Sequence, residues 1–129
     1  MKGFFDHLEK ITEENENYRK VLYTAKHCQL VLMALKPNEE IGEEIHTDND
    51  QFFRFESGNG KVIIDGNEYN VAAGDGVIVP TGAKHNVINT GSEILKIYTI
   101  YSPAHHKDQT IHPTKASETE EHFDGQTTE

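Results

Sequence analysis

The chain has no tryptophan, one cysteine, four prolines and only 12 lysines and arginines against 22 aspartates and glutamates. Each shortage excludes something. A lone Cys28 closes no internal disulfide, and nothing argues for an oxidising compartment. A formal charge of -10 repels phosphate backbones and anionic lipid, so neither nucleic acid nor a membrane surface is an expected partner. No apolar run approaches the length of a membrane span. The opening residues Met1-Lys2-Gly3-Phe4-Phe5-Asp6-His7 lack the apolar stretch of a secretory signal, and the chain reads as cytoplasmic. At 129 residues it can bury one core and is too short for two ordinary domains.

What is present divides into three parts. In residues 1–17, Phe4, Leu8 and Ile11 recur at helical spacing before the acidic run Glu13-Glu14-Asn15-Glu16, which predicts a short amphipathic helix lying on the main body. Residues 18–103 read as short strand after short strand: 18–24, 29–35, 41–46, 51–57, 61–65, 68–71, 77–79, 85–89 and 93–101. Turn signals separate them, among them Lys36-Pro37-Asn38, Gly58-Asn59-Gly60, Asp65-Gly66-Asn67 and Thr90-Gly91-Ser92. Evenly spaced strands without intervening helices predict an all-β sandwich or barrel. Residues 104–129 form a polar extension. From Ser117 onward it is acidic and threonine-rich, with Phe123 as its single large apolar side chain, and is expected to fray.

The densest pattern lies in Gly74–Asn89. Gly74 and Gly76 flank a turn, Val77-Ile78-Val79 is a short apolar strand, and Pro80 with Gly82 shapes a second turn. That turn delivers His85 to the start of the next strand, four residues before Asn89. The spacing resembles the second motif of the cupin family at each fixed position. The likeness is to small single-domain cupins and covers about residues 18–103. It implies a jelly-roll barrel, a double-stranded β-helix.

The family's first motif places two histidines one residue apart, then a glutamate, then a glycine. Counting back from Gly58 puts Gln51 at the glutamate position, His46 at the second histidine and Glu44 at the first. An alternative register sets His46 with Asp48, at the cost of a shorter spacer, so Glu44 is preferred and Asp48 held in reserve. Strand alternation supports this choice. Glu44 and His46 share a face with Ile41, Glu43 and Ile45 opposite, Gln51, Phe53 and Phe55 share another, and His85, Val87 and Asn89 a third. If these faces point into one barrel, Glu44, His46, Gln51 and His85 converge on a pocket lined by Phe53, Phe55 and Val87. His7, His27, His105, His106, His112 and His122 have no comparable support, although His105 and His106 leave the barrel near its mouth.

The resemblance implies a metal site whose usual three histidines and one glutamate are here two imidazoles, one amide and one carboxylate. That set, with no thiolate in it, favours one divalent ion, Mn, Fe, Co, Ni or Zn, over Cu(I). Four protein ligands leave open positions on a six-coordinate ion, as catalysis requires. Cupins host many reactions, so the fold alone gives no activity. The leading expectation is isomerase- or lyase-type chemistry on a small carbohydrate or sugar acid, because glutamine at position 51 resembles cupins that process unsaturated uronates. A mononuclear non-haem Fe(II) dioxygenase is the first alternative, and a non-catalytic metal- or ligand-binding module the second. A homodimer is also expected. The family forms them, 29–35 is apolar on both faces, and strand 18–24 offers an edge to a second subunit.

Overall fold

The computed structural model describes residues 1–129. Helix α1 (Leu8–Glu14) is followed by β1 (Arg19–Thr24), β2 (Gln29–Leu35), β3 (Glu44–Ile45), β4 (Asp50–Ser57) and β5 (Asn59–Ile64). Then come β6 (Asn67–Ala72), β7 (Gly76–Val79), β8 (Lys84–Asn89), β9 (Leu95–Ser102), β10 (Ile111–His112) and a 3-10 turn at Lys115–Ser117. The strands form two antiparallel sheets, one ordered β10-β1-β2-β9-β4-β7 and the other β3-β8-β5-β6. No helix is long and apolar enough to cross a membrane.

Alternation builds the core between the sheets. On β4, Gln51, Phe53 and Phe55 are buried while Phe52 and Arg54 are half-buried between them. Val31, Met33 and Leu35 of β2, Val87 of β8 and Ile97 of β9 join Phe53 and Phe55 in one cluster of 15 buried residues. Each large side chain so buried contributes about 1.5–3 kcal/mol. Gly58 lets β4 turn sharply into β5. Its φ is +91°, and a Cβ there would stand 2.8 Å from the Ile94 carbonyl oxygen.

Several differences from the sequence reading have local causes. The strand expected over 41–46 shrinks to Glu44–Ile45, because Gly42 at φ +110° breaks the alternation. Ile41 consequently packs against the core instead of facing outward with Ile45. The helix begins only at Leu8, since Gly3 is left-handed (φ 68°) and His7 supplies no side-chain cap. Strand β10, unanticipated, extends the edge of β1 by pairing His112 with Arg19 and Ile111 with Lys20.

The extension follows a defined path over the barrel. His106 bridges to His122, Phe123 N–H donates to the His105 carbonyl at 2.9 Å, and Thr128 N–H donates to the Thr24 carbonyl at 2.9 Å. Of the stretch from Ser117 onward that was expected to fray, residues 117–122 are all exposed. Two features behind the dimer expectation have partners within the chain, in part. The second face of β2 is covered, with Leu32 at the floor of a groove shared with Phe4 and Ile11, and part of the β1 edge is taken by β10.

Candidate functional site

The register of β3 against β8 sets Glu44 directly opposite His85. His46 follows two residues later, and its carbonyl accepts from Gly82 N–H at 2.8 Å, which ties it to the turn that presents His85. Gly82 holds that turn at φ +88°. The ligating atoms of Glu44, His46 and His85 all fall within 4.8 Å of one another. Both histidines are buried and Glu44 is half-buried.

Hydrogen bonding orients each donor. The His85 Nδ1 lies 3.0 Å from the Ala83 carbonyl, which can only accept, so a neutral ring carries its lone pair on Nε2. The Thr99 hydroxyl donates to the Phe52 carbonyl at 2.8 Å, so it must accept from Gln51 Nε2 at 2.9 Å. That leaves Gln51 Oε1 buried without a partner, as is His46 Nδ1. His46 Nε2 stands 2.8 Å from Glu44 Oε2. Burial raises the Glu44 carboxyl, but the hydrogen bond and charge of His46, with Arg19 and His85 beyond, outweigh it and hold the group below its ordinary range.

Aromatic and imidazole rings close the site. His105 packs on His46 with ring centres 4.5 Å apart and stacks on Tyr101 at 5.3 Å. Burial, aided by the neighbouring His46, lowers His105 to about 4, so it is neutral near pH 7. Burial, with Arg19 nearby, lowers His106 to about 2, and its Nε2 meets the Tyr101 hydroxyl at 3.2 Å. Burial also raises Tyr101 far above the ordinary phenol range, keeping it protonated. A cavity of about 180 Å³ lies at the mouth, lined by Arg19, Glu44, His105, His106 and Glu118–His122.

Of the residues expected from sequence, Glu44, His46 and His85 come together, and Gln51 is buried on the neighbouring strand with its oxygen free. Asp48 is exposed and lies outside this cluster, beside Asn49, Pro103 and Phe123. Phe53, Phe55 and Val87, expected to line the pocket, are core residues at 1%, 0% and 0% exposure. They pack beneath the site because β4 and β8 bury them between the two sheets.

Arg19, Tyr101 and the extension were missed, and His105 and His106 were undervalued. Arg19 did leave a signal: it shares the inward face of β1 with Val21, an unusual place for a guanidinium. The extension left none, since its position depends on contacts distant in sequence.

The donors fit a divalent ion. Neighbouring ligands of an ion with bonds of about 2.1 Å stand about 3 Å apart, close to the observed separation of His46 Nε2 and Glu44 Oε2. The Gln51 oxygen, buried beside the cluster without a partner, is a further donor that such an ion would satisfy.

A two-sheet jelly roll with a histidine- and carboxylate-lined mouth is the architecture of a cupin. Residues 31–101 match the cupin domain family model, and the chain belongs to that family. It is 42% identical over 121 residues to YrkC of Bacillus subtilis (strain 168), covering 89% of this chain and 65% of that protein. The chain spans less than two thirds of the length of the curated relatives it matches. The crystal structure of BH2720 from Bacillus halodurans is 38% identical with a TM-score of 0.88, covering 90% of this chain and 92% of that one. KdgF from Halomonas sp. is 17% identical with a TM-score of 0.67, covering 80% of this chain and 94% of that one, a likeness of fold alone.

Proposed function

We propose that the protein is a divalent-metal enzyme that rearranges or cleaves a small sugar acid by proton transfer. The observation that carries this reading is the convergence of Glu44, His46 and His85 within 4.8 Å, beside the unpartnered Gln51 oxygen. Those four residues would hold the ion, which when bound supplies a Lewis acid for an adjacent carbonyl and hydroxyl. The chain supplies the rest. Glu44 stays ionised, and the Ala83 carbonyl fixes the His85 tautomer. Neutral His105 lines the cavity, and its uncharged ring can hydrogen-bond a hydroxyl or carbonyl of bound substrate. Tyr101, held protonated under the His105 ring, keeps that ring in place. Glutamine at position 51, which resembles cupins that process unsaturated uronates, supports the sugar-acid class.

A second reading rests on a specific observation: two histidines and one carboxylate are the ligand set typical of non-haem Fe(II) oxygenases. The test is turnover of uronates and small hydroxy acids by protein loaded with Mn, Ni or Zn without oxygen. Substrate-dependent oxygen uptake by the Fe(II) form, abolished by His85→Ala, would establish the oxygenase and rule out the proton-transfer reading.

A further inference from the structure

Arg19 is an uncommon residue. Its side chain is 3% exposed and lines the cavity beside Glu44, with its Nε buried and unpartnered. Its NH1 donates to His112 Nδ1 at 3.1 Å and to Glu118 Oε2 at 2.5 Å. Arginine has no acceptor, so His112 Nδ1 must be a bare lone pair. Burial followed by the Arg19 charge lowers the His112 pKa, in keeping with a neutral ring. The close counter-charge to Arg19 is therefore Glu118. Glu118 is 34% exposed and sits on the exposed stretch that passes over the mouth. The Tyr18 hydroxyl, also buried and unpartnered, is within electrostatic reach of Glu44 and Glu118.

A planar guanidinium with an unused donor is built to take a carboxylate by two parallel bonds. Glu118 uses one arm of it. We propose that Arg19 is the carboxylate seat of the substrate pocket, and that Glu118 is an internal stand-in which the substrate's own carboxylate displaces. This rests on the sugar-acid reading and sharpens it, since the substrate must be a monocarboxylate small enough for the cavity. About 180 Å³ is the volume of about six waters, which suits a small organic acid engaging Arg19 while another of its oxygens faces Glu44, the triad member that lines this cavity.

Two titrations of the full chain test this. In the first, which needs no metal, the Arg19 Nε–H signal is followed by ¹⁵N NMR as acetate is added to wild type and to Glu118→Gln. Removing the competing carboxylate should lower the acetate needed by about tenfold, the worth of one charge-assisted bond. In the second, calorimetry on metal-loaded protein compares D-glucuronate with uncharged D-glucose. Glucuronate should be preferred, more so in Glu118→Gln, and Arg19→Met should erase the preference while retaining one metal per chain. Should Arg19→Met fail to fold, the Glu118→Gln comparison decides alone. Unchanged or weaker acetate binding in Glu118→Gln overturns the proposal, as does equal affinity for glucose and glucuronate in metal-loaded protein. Failure of wild type to bind metal defeats the enzyme reading instead, and the acetate titration then still decides the role of Arg19.

Discussion

Replacing Gln29 with leucine should detach the extension from the barrel. The Gln29 side chain is fully buried and all four of its hydrogen-bonding positions are used. Its Nε2 donates to Thr24 Oγ1 at 2.9 Å and to the His106 carbonyl at 2.8 Å. Its Oε1 accepts from His105 N–H at 3.2 Å and His106 N–H at 3.0 Å. Leucine has similar volume but would strand two backbone donors and one carbonyl, each costing about 1–3 kcal/mol while buried. Apolar gain from leucine and local entry of water offset part of that, leaving a net loss of about 3 kcal/mol. Against a total stability of about 5–15 kcal/mol this is large, and it lowers the melting midpoint by about 10 °C. Urea unfolding measures the loss, and hydrogen exchange at the His105 and His106 amides localises it. A loss below about 1 kcal/mol with those amides still protected would refute the claim that Gln29 anchors the extension.

Other outcomes follow from the same contacts. Glu44→Ala and His46→Ala should each weaken metal binding by more than about 100-fold, whereas Asp48→Ala should leave it within about twofold; metal titration by calorimetry decides. Gly58→Ala should cost about 2 kcal/mol or more, because its Cβ meets the Ile94 carbonyl oxygen and Leu95 Cα, while Gly82→Ala, with nothing within 4 Å, should cost only the strain of its positive φ. Thermal melts of the two variants should differ in that order. Buried His106 has a folded pKa of about 2 against an ordinary 6.5, so the unfolded chain takes its proton first as pH falls. Stability should therefore decline below pH 6.5, by up to about 1.4 kcal/mol per unit from this residue, and His106→Gln should flatten that slope in urea unfolding between pH 6 and 4.

The sequence made the barrel legible because its strands obey simple rules. Strand 29–35 was read to the residue, since seven apolar or buried positions between turn signals have no other use. The turn before His85 was legible because glycine and proline fix backbone angles locally. The first motif was harder. Gly42 ends the alternation that placed Ile41, and only pairing with β8 brings Glu44 opposite His85. Strand β10 is two residues long and exists because β1 offers an edge, so no periodicity could reveal it. The mouth was least legible. Arg19, His105, His106 and Glu118 come from opposite ends of the sequence, and only the folded extension makes them neighbours.

The central claim is that Glu44, His46 and His85 hold a divalent ion with help from the Gln51 oxygen. Crystals of protein purified without chelators, with diffraction recorded at the Mn, Fe, Co, Ni and Zn edges, test it directly. The account predicts one anomalous peak per chain bonded to all three residues, with Gln51 Oε1 turned toward it. A metal-soaked crystal with no peak at that position, or with its peak on Asp48, would contradict it.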